Sequence, residues 1–260
     1  MVNIRPIRQS VRPSPIFLGI CAVTVLGGVL AWLAGAYRSP LAYAGVFIFV
    51  IAGWLVSLCL HEFGHAYMAW RYGDREVAAR GYLTLNPLKY SNPLLSLGLP
   101  LVFIALGGIG LPGGAVYVHT SWMTPRRRTV VALAGAAVNA TLAVILLVVT
   151  SVFADASHAV FCSGMAFLGF LQVTAVVLNL LPIPGLDGYG ALEPHLSPET
   201  QRALQPAKQW GFLILFILLF APPLNLAFFS LVDRFVGLSG INPYLVHVGS
   251  ALTRFWSAWF

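Results

Sequence analysis

Long apolar runs, separated by short polar or proline-rich joints, dominate the chain. Six stand out, at about 16–36, 43–70, 94–112, 129–153, 160–183 and 210–232. Each is close to or above the ~20 residues that a helix needs to cross a bilayer. A seventh, about 235–258, is weaker because Asn242, Pro243, His247 and Arg254 interrupt it. The pattern predicts an all-α polytopic membrane protein, a bundle of about five to six transmembrane helices. The third run differs from the others. It holds Pro100 and Pro112, follows Pro93, and leads into five glycines between Gly107 and Gly114. That predicts a re-entrant or broken hairpin. Such backbone survives at membrane depth only where it is packed in protein or lines a wet cavity.

Composition agrees. Of 260 residues, 58% are hydrophobic and 9% charged, with mean hydropathy +0.83. Soluble domains run at roughly 45–50% apolar and about 25% charged, so a soluble enzyme and a disordered chain are both excluded. The chain reads as one membrane domain over 1–260. Its core covers about 43–230, with a basic cytoplasmic tip at 1–15 and, at 233–260, a peripheral C-terminal helix or extra span. The first run is longer than the 7–15 apolar residues of a signal peptide and reads as a retained anchor.

The net charge of +7 reports topology. With the N-terminus in the cytoplasm and the third run a hairpin, twelve basic residues fall on the cytoplasmic side, among them Arg71, Arg75, Arg80 and Arg126 to Arg128. Three, Arg38, Arg234 and Arg254, fall on the far side. This is the positive-inside bias. Arg126 to Arg128 read as a topological anchor, and no nucleic-acid partner is expected. Cys21, Cys59 and Cys162 are far apart inside apolar runs and read as small hydrophobes, without a disulfide or thiolate site.

Ionisable residues inside spans are costly, so they mark function by default. The second run contains His61-Glu62-Phe63-Gly64-His65. On a helix, i and i+4 share a face, so both imidazoles reach one ion, while Glu62 is turned aside to stand by a bound water. This is zincin chemistry: two histidines, a third protein ligand and an open position. A search for the third ligand is short. Asp74, Glu76, Asp155, Glu193, Glu199 and Asp233 lie in loops or at span ends, which leaves Asp187 after Pro182 and Pro184. In the topology above, the second and fifth runs end on the same side, which brings His61, His65 and Asp187 to similar depth. His119, His158, His195 and His247 read as surface or packing residues.

Three segments in this order resemble the site-2 protease family, the intramembrane zinc metalloproteases. They are His61 to His65, Gly135-Ala136-Ala137-Val138-Asn139, and Asn179-Leu180-Leu181-Pro182-Ile183-Pro184-Gly185-Leu186-Asp187-Gly188. Leu83 to Lys89 is similar to a segment of the compact bacterial members, which lack PDZ and CBS domains. The resemblance implies one Zn2+ per chain on His61, His65 and Asp187, with Glu62 as general base and proton shuttle. It implies that Asn139 helps to position substrate or the developing oxyanion; close helix packing is its ordinary alternative. It implies that Gly81 to Leu85 forms a strand-like edge for an unwound substrate. The chain departs at Tyr90-Ser91-Asn92-Pro93, where the family often has His-x-Asp-Pro, and at Ala136, where a proline is frequent.

The expected activity is therefore hydrolysis of peptide bonds in or near transmembrane segments of membrane proteins. The expected place is the bilayer of a bacterial inner membrane, with the active site toward the cytoplasm. The sequence names neither the substrate nor the oligomeric state. The rival reading is a non-catalytic or transport-type membrane zinc-binding protein. Transport favours a second set of intramembrane ligands, and the far half of the bundle offers none.

Overall fold

A computed structural model describes residues 11–90, 97–106, 108–110 and 116–258. No strand occurs among them. Eleven α-helices follow in order: α1 (Pro15–Leu33), α2 (Pro40–Arg71), α3 (Glu76–Ala79), α4 (Leu99–Ala105), α5 (Pro125–Phe153), α6 (Ala159–Asn179), α7 (Asp187–Leu192), α8 (Pro198–Leu204), α9 (Gly211–Phe220), α10 (Pro222–Gly237) and α11 (Pro243–Thr253). Five of the starts share one device. Ser14-Pro15, Ser39-Pro40, Thr124-Pro125, Ser197-Pro198 and Asn242-Pro243 each put a capping residue before a proline at the first helical position. Proline lacks the N–H that a first turn cannot use, and its φ already suits a helix. In four of the five, the capping side chain also accepts from a backbone N–H inside the first turn.

Four helical segments are long and apolar enough to cross a membrane: Pro15–Leu33, Pro40–Arg71, Pro125–Phe153 and Ala156–Asn179. A bent pair, Pro198–Trp210 with Leu213–Phe220, makes a fifth if counted as one span. The protein is thus an integral membrane protein. The run 210–232 is not one helix, because Pro222 and Pro223 break it after Phe220. The α11 helix has 11 residues, or ~16 Å, which is too short to span. It sits on α6, where a Cβ on Gly249 would overlap the Ser163 carbonyl oxygen.

The α2 and α6 helices are interior, and α1 and α5 turn apolar side chains outward, including Val25, Leu26, Val144 and Val152. Backbones approach closely where side chains vanish. A Cβ on Gly27 would lie 2.8 Å from Phe49 Cα, and one on Gly45 would lie 2.9 Å from Ala31 Cα, so α1 and α2 touch almost main chain to main chain.

The Arg127 guanidinium, near the start of α5, lies 5.3 Å above the Tyr72 ring at the end of α2. The end of α2 and the start of α5 therefore lie at the same end of the bundle. Of the third run itself, α4 is a seven-residue helix. Ser91 to Pro93, most of the glycine-rich segment and the tip with Arg5 and Arg8 lie outside the described residues. One expectation fails. Gly81 to Leu85 is not a strand: Tyr82–Thr84 is a 3-10 turn flanked by left-handed Gly81 (φ 79°) and Leu85 (φ 57°). The Thr84 hydroxyl closes it by donating to the Gly81 carbonyl at 2.6 Å. The Thr84 carbonyl accepts from the Ser14 N–H at 2.8 Å, so that oxygen already has a partner.

Candidate metal centre and its cleft

The centre forms where α2 crosses α5 and the chain turns after α6. The α2 and α5 helices run antiparallel, so His61 meets Asn139 and His65 meets Val131. Gly64 admits the crossing, since an added Cβ would lie 3.0 Å from the Ala134 carbonyl oxygen. After Asn179 the chain folds back tightly, with the Leu181 N–H on the Leu178 carbonyl and the Leu186 N–H on the Ile183 carbonyl. Gly185 is left-handed (φ 101°). A Cβ on Gly188 would lie 2.5 Å from the Leu180 carbonyl carbon. These joints set Asp187 at the head of α7, facing α2.

Three potential ligand side chains converge. His61 Nε2 and His65 Nε2 are 3.1 Å apart. Asp187 Oδ2 is 3.5 Å from His61 Nε2, and Oδ1 is 3.4 Å from His65 Nε2. No other group of three or more His, Cys, Asp or Glu side chains among the described residues could hold a metal ion. Four ligands at ~2.0–2.1 Å around zinc are about 3.3 Å from one another; the two imidazole nitrogens stand 3.1 Å apart, and each has one or the other carboxylate oxygen within 3.5 Å. The outer ring nitrogens are spoken for. His65 Nδ1 is 2.8 Å from the Val131 carbonyl oxygen and His61 Nδ1 is 3.1 Å from Asn139 Oδ1. Both partners accept, so each Nδ1 carries the proton and each Nε2 presents a lone pair inward.

The donor set fits zinc on two further observations. Asp187 Oδ2 is buried with no hydrogen-bond partner among the described residues. And a Cβ on Gly135 would fall 2.6 Å from His61 Nε2 and nearer still to His65 Nε2. Glycine at 135 keeps open the space where the lone pairs meet.

The centre lies in a cavity of about 280 Å³ bordered by Glu62, Asn139, Asn179, Trp54 and Ser57, and also by Val116 and Val118. Glu62 and Asn139 are buried to 3% and 6% exposure. The structure thus brings His61, Glu62, His65, Asn139 and Asp187 to one cleft. The four other histidines take other partners or sites. His119 Nδ1 is 3.3 Å from Glu76, His158 Nδ1 is 3.0 Å from Asp155, His195 Nε2 is 2.8 Å from the Thr129 hydroxyl, and His247 borders a separate cavity. The three cysteines are free. Sequence reasoning missed the Val131 carbonyl, which no side chain announces. It also missed the work of Gly135, although its place four residues before Asn139 puts both on the α5 face toward His61.

Fold and cleft together define a polytopic helical membrane protein in which two buried histidines and one half-buried carboxylate form a group that could hold a metal ion, beside a buried glutamate. The chain is 70% identical over 259 residues to "Putative zinc metalloprotease Rip2" of Mycolicibacterium smegmatis, covering 100% of both chains. It is 66% identical over 253 residues to the protein of the same name from Mycobacterium tuberculosis, covering 97% of this chain and 98% of that one. It is 34% identical over 179 residues to "Putative zinc metalloprotease YwhC" of Bacillus subtilis, covering 66% and 79%. No family model and no solved structure matches. The chain belongs to the site-2 protease family of intramembrane zinc metalloproteases.

Proposed function

We propose that His61, His65 and Asp187 hold a single Zn2+ and that the protein uses it to hydrolyse peptide bonds within or next to transmembrane segments of membrane-protein substrates. The observation that carries this is the convergence of two lone-pair nitrogens and an unpartnered carboxylate oxygen beside buried Glu62. What a bound zinc supplies is Lewis acidity, which polarises a carbonyl and makes water nucleophilic near neutral pH. Glu62 takes the proton of the attacking water and delivers it to the leaving amine, so that one water is consumed and an acid and an amine result. Asn139 holds the His61 ring, keeps its Nδ1 protonated and so aims Nε2 inward. A transmembrane helix shields its own carbonyls, so the substrate unwinds before it is cut.

The charge pattern supports a cytoplasmic-side active site in a bacterial inner membrane. Arg71, Arg75, Arg80 and Arg126 to Arg128 gather at the bundle end nearest His65, the end expected to face the cytoplasm. The test compares membrane proteomes of cells carrying wild type or Glu62→Gln at matched expression. Transmembrane peptides that persist only in Glu62→Gln cells identify the substrate. No difference, with zinc retained in both proteins, would reject the protease assignment of this site under those conditions.

A further inference from the structure

One turn deeper along α2 than His61 lies a polar pair that the mechanism above does not use. Ser57 is four residues before His61, on the same helix face, and borders the same cavity. Its hydroxyl donates to the Trp54 carbonyl at 2.7 Å and accepts from Gln172 Nε2 of α6 at 2.9 Å. Gln172 is 1% exposed among Leu168, Leu171 and Val173, and its Oε1 is buried without a hydrogen-bond partner among the described residues.

A hydroxyl offers one donor and two acceptor positions. Ser57 spends its donor on Trp54 and one acceptor on Gln172, and the second acceptor has no described partner. Interhelical amides often act as glue in membranes. Glue alone, however, does not call for a glutamine whose buried carbonyl goes unpaired, since an unmet buried acceptor forfeits its hydration. Ser57, which borders the cavity that leads to the metal centre, thus keeps one acceptor position without a described partner, whereas Gln172 does not border that cavity. An unwound membrane segment brings the complementary groups, main-chain N–H donors that lost their helical partners.

We infer that Ser57, braced by Gln172, is a substrate subsite that accepts a main-chain N–H of the unwound segment on the membrane-interior side of the scissile bond. The inference rests on the proteolytic reading of the cleft. Ser57 touches substrate; Gln172 is a positioning residue that acts through it.

The test uses full-length, zinc-loaded Glu62→Gln protein in proteoliposomes, so that binding is read without cleavage. The probe is a fluorescent Leu/Ala transmembrane peptide with a central Gly-Pro pair, together with a set N-methylated at single positions around that pair. Ser57→Thr and Ser57→Val are near-isosteric and differ in the hydroxyl. The Thr protein should bind like Ser57, and the Val protein about three- to tenfold more weakly, the worth of one hydrogen bond. One N-methyl position should weaken binding to the Ser and Thr proteins by the same factor and leave the Val protein unaffected. Gln172→Leu should weaken binding with zinc content unchanged. Equal binding by Thr and Val proteins, or N-methyl losses that add to the Val loss at every position, would overturn the subsite and leave a water-holding or packing pair. Failure of Glu62→Gln to bind the parent peptide at all would instead remove the substrate class on which the inference rests.

Discussion

Replacing Gly135 by alanine separates two effects that usually travel together. Alanine is preferred to glycine inside a helix by about 1 kcal/mol, and Gly135 lies within the long α5. With zinc stripped, the imidazoles can yield only by loosening their Nδ1 contacts to Asn139 and Val131, which offsets that preference, so the variant should melt close to wild type. With zinc present the outcome differs. The new Cβ would lie 2.6 Å from Cε1 and Nε2 of His61 and closer to Nε2 of His65. Ordinary contact needs ~3.5 Å, so a ring must retreat by about 0.9 Å, whereas metal–ligand distances tolerate only ~0.2 Å. Changes that merely disturb a ligand's outer partner cost about 10–100-fold in metal affinity. Blocking two ligands at once should cost at least about 100-fold. The assay is zinc content by elemental analysis plus affinity by chelator competition, with thermal melts of both proteins in excess chelator. Gly64→Ala serves as the packing control, because the atoms its Cβ would meet first belong to Ala134 and Val138 of α5. Unchanged zinc affinity in Gly135→Ala would refute the claim that this glycine keeps the metal's place.

Asp187→Ala should leave purified protein depleted of zinc, and full retention would reject Asp187 as third ligand. Glu62→Gln should keep zinc and lose cleavage, with undiminished cleavage excluding Glu62 as the base. Asn139→Leu should lower zinc affinity about 10–100-fold by freeing the His61 ring; chelator competition with no change would show that the contact to Nδ1 does not matter. On the loop between α5 and α6, His158 beside Asp155 holds its carboxyl below the usual range. A depressed carboxyl adds stability above its unfolded pKa that is lost as pH falls through the folded value. Melting of wild type but not of Asp155→Asn should show this small acid-side decline, and identical profiles would rule the contact out as a contributor.

Much of the architecture is legible in the apolar runs because hydrocarbon leaves few options: each crossing must satisfy its own backbone, and only long apolar helices do so. The α1, α2, α5 and α6 spans follow from that. The break in 210–232 was written in Pro222 and Pro223 but was hidden by the apolar count around them. The misread piece was Gly81 to Leu85. Its residues suit a strand edge, yet the left-handed Gly81 and Leu85 and the Thr84 hydroxyl close it into a turn. Local hydrogen bonding of that kind competes with extended structure and leaves little trace in hydrophobic pattern.

By itself the sequence determined that this is a membrane helical bundle, that His61, Glu62 and His65 share one region of a helix, and that Asp187 is the acid able to join them. Those conclusions rest on period, burial cost and scarcity of charge, all of which are properties of the chain. How separate helices meet is set by packing between distant parts of the chain. It aims both Nε2 atoms at one point by pairing His61 Nδ1 with Asn139 and His65 Nδ1 with the Val131 carbonyl. It keeps that point open with Gly135 from another span, and it sets the Ser57–Gln172 pair one turn deeper. Such contacts join residues 66 to 115 positions apart. Helix crossing and rotation set them, and no local pattern encodes either.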